Sequence, residues 1–107
     1  MICVGEVPQN VFVHILKGKP ENLIEASREA LDTAMSVINY DRKLTFFIDC
    51  ISRVLFLEDD FQKEINTVAS SGSLLAGALT LGEIANSGSE FLEFFNKTAV
   101  VAIIEDL

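Results

Sequence analysis

Apolar runs of strand length alternate along this chain with two amphipathic stretches. Residues 2–7 are a short strand candidate followed by the turn residues Pro8, Gln9 and Asn10. Val11, Phe12, Val13, His14, Ile15 and Leu16 make a second run, rich in β-branched and aromatic residues, and the two together predict a hairpin. Gly18-Lys19-Pro20-Glu21 then reads as a helix start, with Pro20 in the first turn and Glu21 favourably placed on the helix dipole. Over residues 20–39, Leu23, Ile24, Ala30, Leu31, Ala34, Val37 and Ile38 keep helical spacing. Glu21, Glu25, Arg28, Glu29 and Asp32 hold mostly the other face. Glu21 and Glu25 are like charges one turn apart, so burial of the apolar stripe, not charge pairing, must stabilise this helix.

Residues 44–51 are apolar except for Thr45 and Asp49, the pattern of an interior strand buried on both faces. Residues 54–57 read as a short strand extension or a packed loop. Asp59 or Asp60 caps a second helix whose Phe61, Ile65, Val68 and Ala69 share one face, and Ser70-Ser71-Gly72-Ser73 ends it. Residues 74–81 give another interior strand, in which Ala76, Gly77, Ala78 and the following Gly82 allow a close approach by neighbouring groups. Residues 86–89 read as a turn or a mobile loop. Residues 91–95 and 99–104 are the last β region, interrupted at Asn96-Lys97-Thr98.

The predicted order is β-β-α-β-α-β-β, an α/β domain (α+β being the near variant) with two helices on a mixed sheet. A strand–helix–strand unit is normally right-handed with parallel strands. The strands that follow Lys43 and Ser73 would then carry Cys50-Ile51-Ser52-Arg53 and Gly82-Glu83-Ile84 to one edge of the sheet. A last strand returning antiparallel brings Asn96 and Thr98 alongside. Strand ends of this kind are where α/β proteins usually hold ligands.

Composition narrows the picture. The 107 residues make one domain, and the half that is hydrophobic suffices for a core. A net charge of -8 repels phosphate backbones and anionic lipid, which argues against nucleic-acid and membrane partners. Cys3 and Cys50 are too few for a disulfide scaffold and match no zinc spacing, so a reduced, cytoplasmic setting is expected. No signal-peptide pattern opens the chain, and no apolar run is long enough to span a bilayer. Apolar runs at both ends read as a domain cut from a longer protein.

The polar stations also carry a family resemblance. Gly5-Glu6-Val7-Pro8, residues 11–16 and Lys17-Gly18-Lys19-Pro20-Glu21-Asn22-Leu23 are followed by Cys50-Ile51-Ser52-Arg53. Ala76-Gly77-Ala78-Leu79-Thr80-Leu81-Gly82-Glu83-Ile84 and Phe95-Asn96-Lys97-Thr98 come next. Over nearly the whole chain, this order resembles the C-terminal domain of the FIST family, although Ser52 stands where that family more often has glycine. The resemblance implies a sensory module of bacterial signalling proteins, which also occurs in eukaryotic F-box proteins. It further implies a small ligand, with amino acids suggested, and an N-terminal FIST domain or a signalling protein as partner.

Each candidate residue has two readings. Arg53 grips a ligand carboxylate bidentately, or it forms a structural salt bridge with Glu83 or Asp49. Glu83 holds a ligand ammonium, or it is Arg53's partner. Cys50 is a thiol activated by Arg53, or an inert packed thiol; the one histidine, His14, has no evident place beside it, which favours the inert reading. His14 alternates with Phe12 and Leu16, as a histidine at a core edge would. Asn96 and Thr98 bond a ligand or build a turn, and Ser52 and Gly82 supply backbone donors or a tight bend. Glu58-Asp59-Asp60 suits a helix start better than a calcium loop, whose spaced oxygen ligands are absent.

The expected protein is a non-enzymatic sensory domain that binds a small polar ligand, an amino acid being suspected, with no cofactor and no metal. One alternative is a protein-interaction module that uses Phe91, Phe94 and Phe95 or an edge strand. Another is a thiol enzyme built on Cys50. Homo-oligomer formation is compatible with all three.

Overall fold

The computed structural model describes residues 7–37, 43–86 and 91–105. Its first regular element is helix α1 (Pro20–Met35), with proline in the first turn and Glu21 beside it. The Ser36 hydroxyl turns back on the Thr33 carbonyl at 2.7 Å where the helix ends, and Val37 is exposed rather than part of the buried stripe. Ile38 and Asn39, at the far end of the predicted helix, lie outside the described residues.

Strand β1 (Lys43–Cys50) follows, and then helix α2 (Ile51–Leu57), a 3-10 turn (Glu58–Asp60) and helix α3 (Phe61–Ala69). The segment expected to extend the strand or to form a loop is therefore helical. Arg53 and Leu57 are buried four residues apart, a helical period and not a strand period. Asp60 does not cap α3 with its side chain: it adopts a helical backbone conformation and pairs with Lys63 at 2.6 Å.

Strand β2 (Leu74–Thr80) leads into a separate two-stranded ribbon of β3 (Glu83–Ala85) and β4 (Glu93–Phe95), and β5 (Ala99–Glu105) completes the main sheet. The main sheet has the order β2-β1-β5, with β1 parallel to β2 and antiparallel to β5, as the crossover rule requires. The architecture is a mixed α+β fold. The strand β3 was not evident in the sequence, because three residues after Gly82 are too few to show an alternation.

The second strand of the predicted N-terminal hairpin is not formed among the described residues. Residues 2–6 lie outside the described residues, and residues 11–16 have no regular structure and are exposed. A strand needs a neighbour for its backbone groups, and among the described residues none pairs with this segment. His14 is consequently exposed, not at a core edge.

The helices lie on one face of the main sheet. Thr45, Phe47 and Asp49 of β1 point towards them and are buried, Thr45 bonding the Ser73 hydroxyl at 2.5 Å. The opposite face holds Leu44, Phe46 and Ile48, with Leu74, Ala76 and Ala78 beside them on β2 and Val100, Ala102 and Ile104 on β5. All nine are apolar, yet Phe46, Leu74 and Ile104 are 37%, 76% and 42% exposed. The strand β1 is thus interior in the sheet but covered on one face only, contrary to the two-sided burial its sequence predicts.

Gly77 fulfils the expectation of close approach. It pairs with Phe47, and a Cβ at this position would sit 1.8 Å from the Phe47 carbonyl oxygen. Backbone, not a movable side chain, blocks the space. Gly77→Ala is expected to cost about 3 kcal/mol of stability, at the upper end of overpacking effects, measured by urea unfolding. A loss within experimental error of zero would show that β2 does not lie this close to β1.

Candidate functional site

The dominant polar feature is a buried network under the helices. Arg53 of α2 is 4% exposed, and its Nη2 donates to the Leu23 carbonyl at 3.0 Å, to Ser27 Oγ at 2.9 Å and to Glu64 Oε1. Its Nε forms an ion pair with Asp49 Oδ1 at 2.9 Å, out of line for a hydrogen bond. Ser27 Oγ donates in turn to Glu64 Oε1 at 2.5 Å. Ser27, Asp49 and Glu64 have no exposed surface.

Two carboxylates therefore share one guanidinium. Burial and the nearby Glu64 charge push Asp49 from the ordinary aspartate value of 3.8 up to about 7. The Arg53 charge and the Cys50 backbone N–H pull the other way and are outweighed. Of the two salt bridges expected for Arg53, the one to Asp49 is present. The partner expected in Glu83 is instead Glu64.

Ser27 and Glu64 escaped the sequence reading, although a signal for each was there. Ser27 lies between Leu23 and Leu31 at spacings of four, on the buried stripe of α1. Glu64 lies three residues from Phe61 and four from Val68, on the buried face of α3. A carboxylate on such a stripe calls for an internal cation.

The strand-end stations do converge. Cys50 N–H donates to the Thr98 carbonyl at 3.2 Å, and Lys97 lies 4.1 Å above the Phe56 ring of α2, at a backbone φ of 57°. Thr80 Oγ1 donates to Glu83 Oε1 at 2.7 Å. Cys50 is 2% exposed, and its sulfur lies 3.1 Å from Ser52 Oγ, which is half-buried. Glu83 pairs with Phe95 across the ribbon. Gly82 has an ordinary backbone conformation, so its requirement is space: a Cβ there would lie 2.6 Å from the Phe94 ring.

Glu83 is the exceptional member of this cluster. It is 2% exposed, and its Oε2 is buried without a hydrogen-bond partner among the described residues. A buried carboxylate oxygen in this state loses its hydration and gains nothing in return. Beside the cluster, a cleft of about 770 Å³ opens between α1 and the start of β5. Ala26, Ala30 and Ala34 form its α1 wall together with Glu29 and Thr33, and Phe95 and Thr98 lie opposite. Its volume is in the range of small-molecule sites. Asn96 sits at the exposed turn between Phe95 and Thr98, and its carbonyl accepts from Thr98 Oγ1 at 3.2 Å.

Among the described residues, no group of acidic, histidine and cysteine side chains is arranged to hold a metal ion, and no helix is long and apolar enough to cross a membrane.

The FIST C domain family model matches residues 1–86, and the chain belongs to this family. FIST C domains are sensory domains linked to signal transduction. No match is found among curated proteins or solved structures.

Two outcomes follow from the buried network. Arg53→Ala leaves two internal carboxylates without their cation and is expected to cost roughly 3–5 kcal/mol in urea unfolding. Asp49 holds its proton more tightly in the folded chain than in the unfolded one. Its contribution to stability is therefore full below about pH 3.8, declines as pH rises and is gone above about pH 7. The stability difference between wild type and Asp49→Asn should fall across that window and then stay level. A difference that is flat from about pH 4 to about pH 7 would contradict the raised affinity.

Proposed function

We propose that this FIST C domain senses a small metabolite bearing an ammonium group, an amino acid being the class that fits, at the strand-end edge beside the α1–β5 cleft. The observation that carries this reading is the unpartnered, buried Oε2 of Glu83. A ligand ammonium supplies the charge and the donors that this oxygen lacks. Thr98 lines the cleft, and rotation of its hydroxyl away from the Asn96 carbonyl, or of the Ser52 hydroxyl away from Cys50, supplies a neutral donor for an amino acid's carboxylate.

Arg53 has a different part in this reading from the one its sequence position suggests. Its Nη2 and Nε are directed at Leu23, Ser27, Glu64 and Asp49. It positions the β1–α2 turn that carries Cys50 and Ser52, and the ligand meets those two together with Glu83, Gly82, Asn96 and Thr98. Cys50 is a packed thiol that shapes the pocket floor, not a nucleophile.

The β3–β4 ribbon is the element a ligand would move. It lies outside the main sheet, and its Ile84 and Phe94 are 69% and 59% exposed. Pairing Glu83 with an ammonium favours one placement of the ribbon over others, and that bias is the signal passed on.

Thermal unfolding against a panel of amino acids and simple amines tests the reading. A matching compound should raise the melting temperature selectively, with about 2.7 kcal/mol gained at a hundredfold excess over its dissociation constant. Glu83→Gln should abolish the shift while leaving the unliganded protein folded. A panel without any shift, or a response that Glu83→Gln retains, would remove Glu83 as the ammonium site.

A further inference from the structure

We infer that residues 11–16 form an exchanged strand: the arm of one copy adds to the β2 edge of a second copy, which returns its own arm in the same way. The inference is independent of the ligand reading. It begins from two unfulfilled features of one chain.

The first is the arm. Phe12 is 104% exposed, Ile15 81% and Leu16 88%, and among the described residues no backbone hydrogen bond holds this segment. The radius of gyration is 15.0 Å, against about 13 Å for a compact chain of this length. A strand-forming apolar segment that reaches into water is stable only when something covers it.

The second is the edge. β2 ends the main sheet, so among the described residues no strand lies beside its outer backbone groups. An apolar groove of about 300 Å³ runs along residues 75–79, walled by Phe47 of β1 and by Phe61 and Ile65 of α3. A groove beside an open strand edge is the arrangement that accepts an added strand: the backbone supplies the hydrogen bonds and the groove takes alternate side chains.

The two features match in side chains, length and charge. The arm is apolar in both of its alternating rows apart from His14, so one row enters the groove while the other extends the open apolar face of the sheet. Six extended residues span about 20 Å, close to the length of β2. Residues 74–81 carry no charge, and the arm's only titratable side chain is His14. These are the segments that a chain of net charge -8 can bring together without repulsion. Lys17 and Lys19 follow the arm, and Glu58, Asp59 and Asp60 precede Phe61 at one end of the groove, so an arm laid parallel to β2 also ends in opposite charges.

A second copy is the occupant because within one copy the arm lies exposed and is not on the β2 edge, so another copy brings both an open edge and a free arm. Reciprocal exchange gives a closed two-fold pair. Two such contacts bury roughly 1,500 Å², within the range of stable specific interfaces.

Sedimentation velocity on the wild type and on Val13→Pro tests the exchange. Val13 lies outside every helix and strand, so proline there removes strand pairing without touching the fold, which circular dichroism verifies. The wild type is expected at twice the chain mass at micromolar concentration and the variant at the chain mass, a twofold drop. Amides of residues 75–79 should exchange slowly in the wild type and quickly in the variant. A wild type at the chain mass overturns the inference, as does a variant that stays dimeric. A dimer that leaves residues 75–79 unprotected overturns it equally.

Discussion

The fold depends on one guanidinium. Arg53 joins α2 to the Leu23 carbonyl and Ser27 of α1, to Glu64 of α3 and to Asp49 of β1, so four elements meet on a single side chain. Buried ionic groups add little net stability over well-packed apolar groups of the same volume. What they impose is a penalty on every arrangement that leaves one of them unpaired. The helices could slide over Leu31, Leu57 and Val68 at modest cost, but they cannot slide and keep Arg53 matched to both acids. The elevated proton affinity of Asp49 belongs to the same constraint: one positive charge faces two carboxyl groups, and the surplus negative charge is disfavoured in so dry a place.

That constraint leaves the domain asymmetric. Under the helices, the buried charges face one another around Arg53, although Asp49 and Glu64 Oε2 have no hydrogen-bond partner among the described residues, and Leu31, Leu57 and Val68 are covered. On the far side, nine apolar positions form an open sheet face, and among the described residues neither the β2 edge nor the arm before α1 has a pairing strand. Polar residues along the arm and on the outer row of the sheet would have made an isolated domain. The sequence has apolar residues there instead, and this pattern is what a surface made for contact requires.

The same asymmetry decides what could be read from the sequence. The helix beginning at Pro20, the strands around Phe47, Gly77 and Val101, and the convergence of three polar stations were legible, because each follows from a local period or from the crossover rule. The arm was misread because β-branched and aromatic content reports a preference for strand, whereas a strand also needs a neighbour. The helix at Ile51–Leu57 was missed because a seven-residue run with one buried arginine looks the same at either period. Arg53 was placed at the correct strand end, but sequence could not tell which side of that end it faces. Its face is set by Ser27 and Glu64, which lie 26 residues before it and 11 after it.

Helix α1 connects the two halves of this picture. Its buried stripe supplies Ser27 to the Arg53 network, its alanine face walls the cleft next to Thr98, and its first turn follows the arm after the short link Lys17-Gly18-Lys19. An α-helix transmits a displacement along its length because its backbone hydrogen bonds make it stiff. A contact that fixes the arm therefore acts on the same rigid element that borders the cleft, and a ligand that wedges α1 away from β5 acts on the base of the arm. Coupling of this kind needs no contiguous chain of polar contacts between the two places. It needs only a shared element with two preferred positions, each favoured differently by the two contacts. Arg53 limits how far those positions can differ, since any shift of α1 that separates Ser27 from the guanidinium breaks the network that holds the domain together.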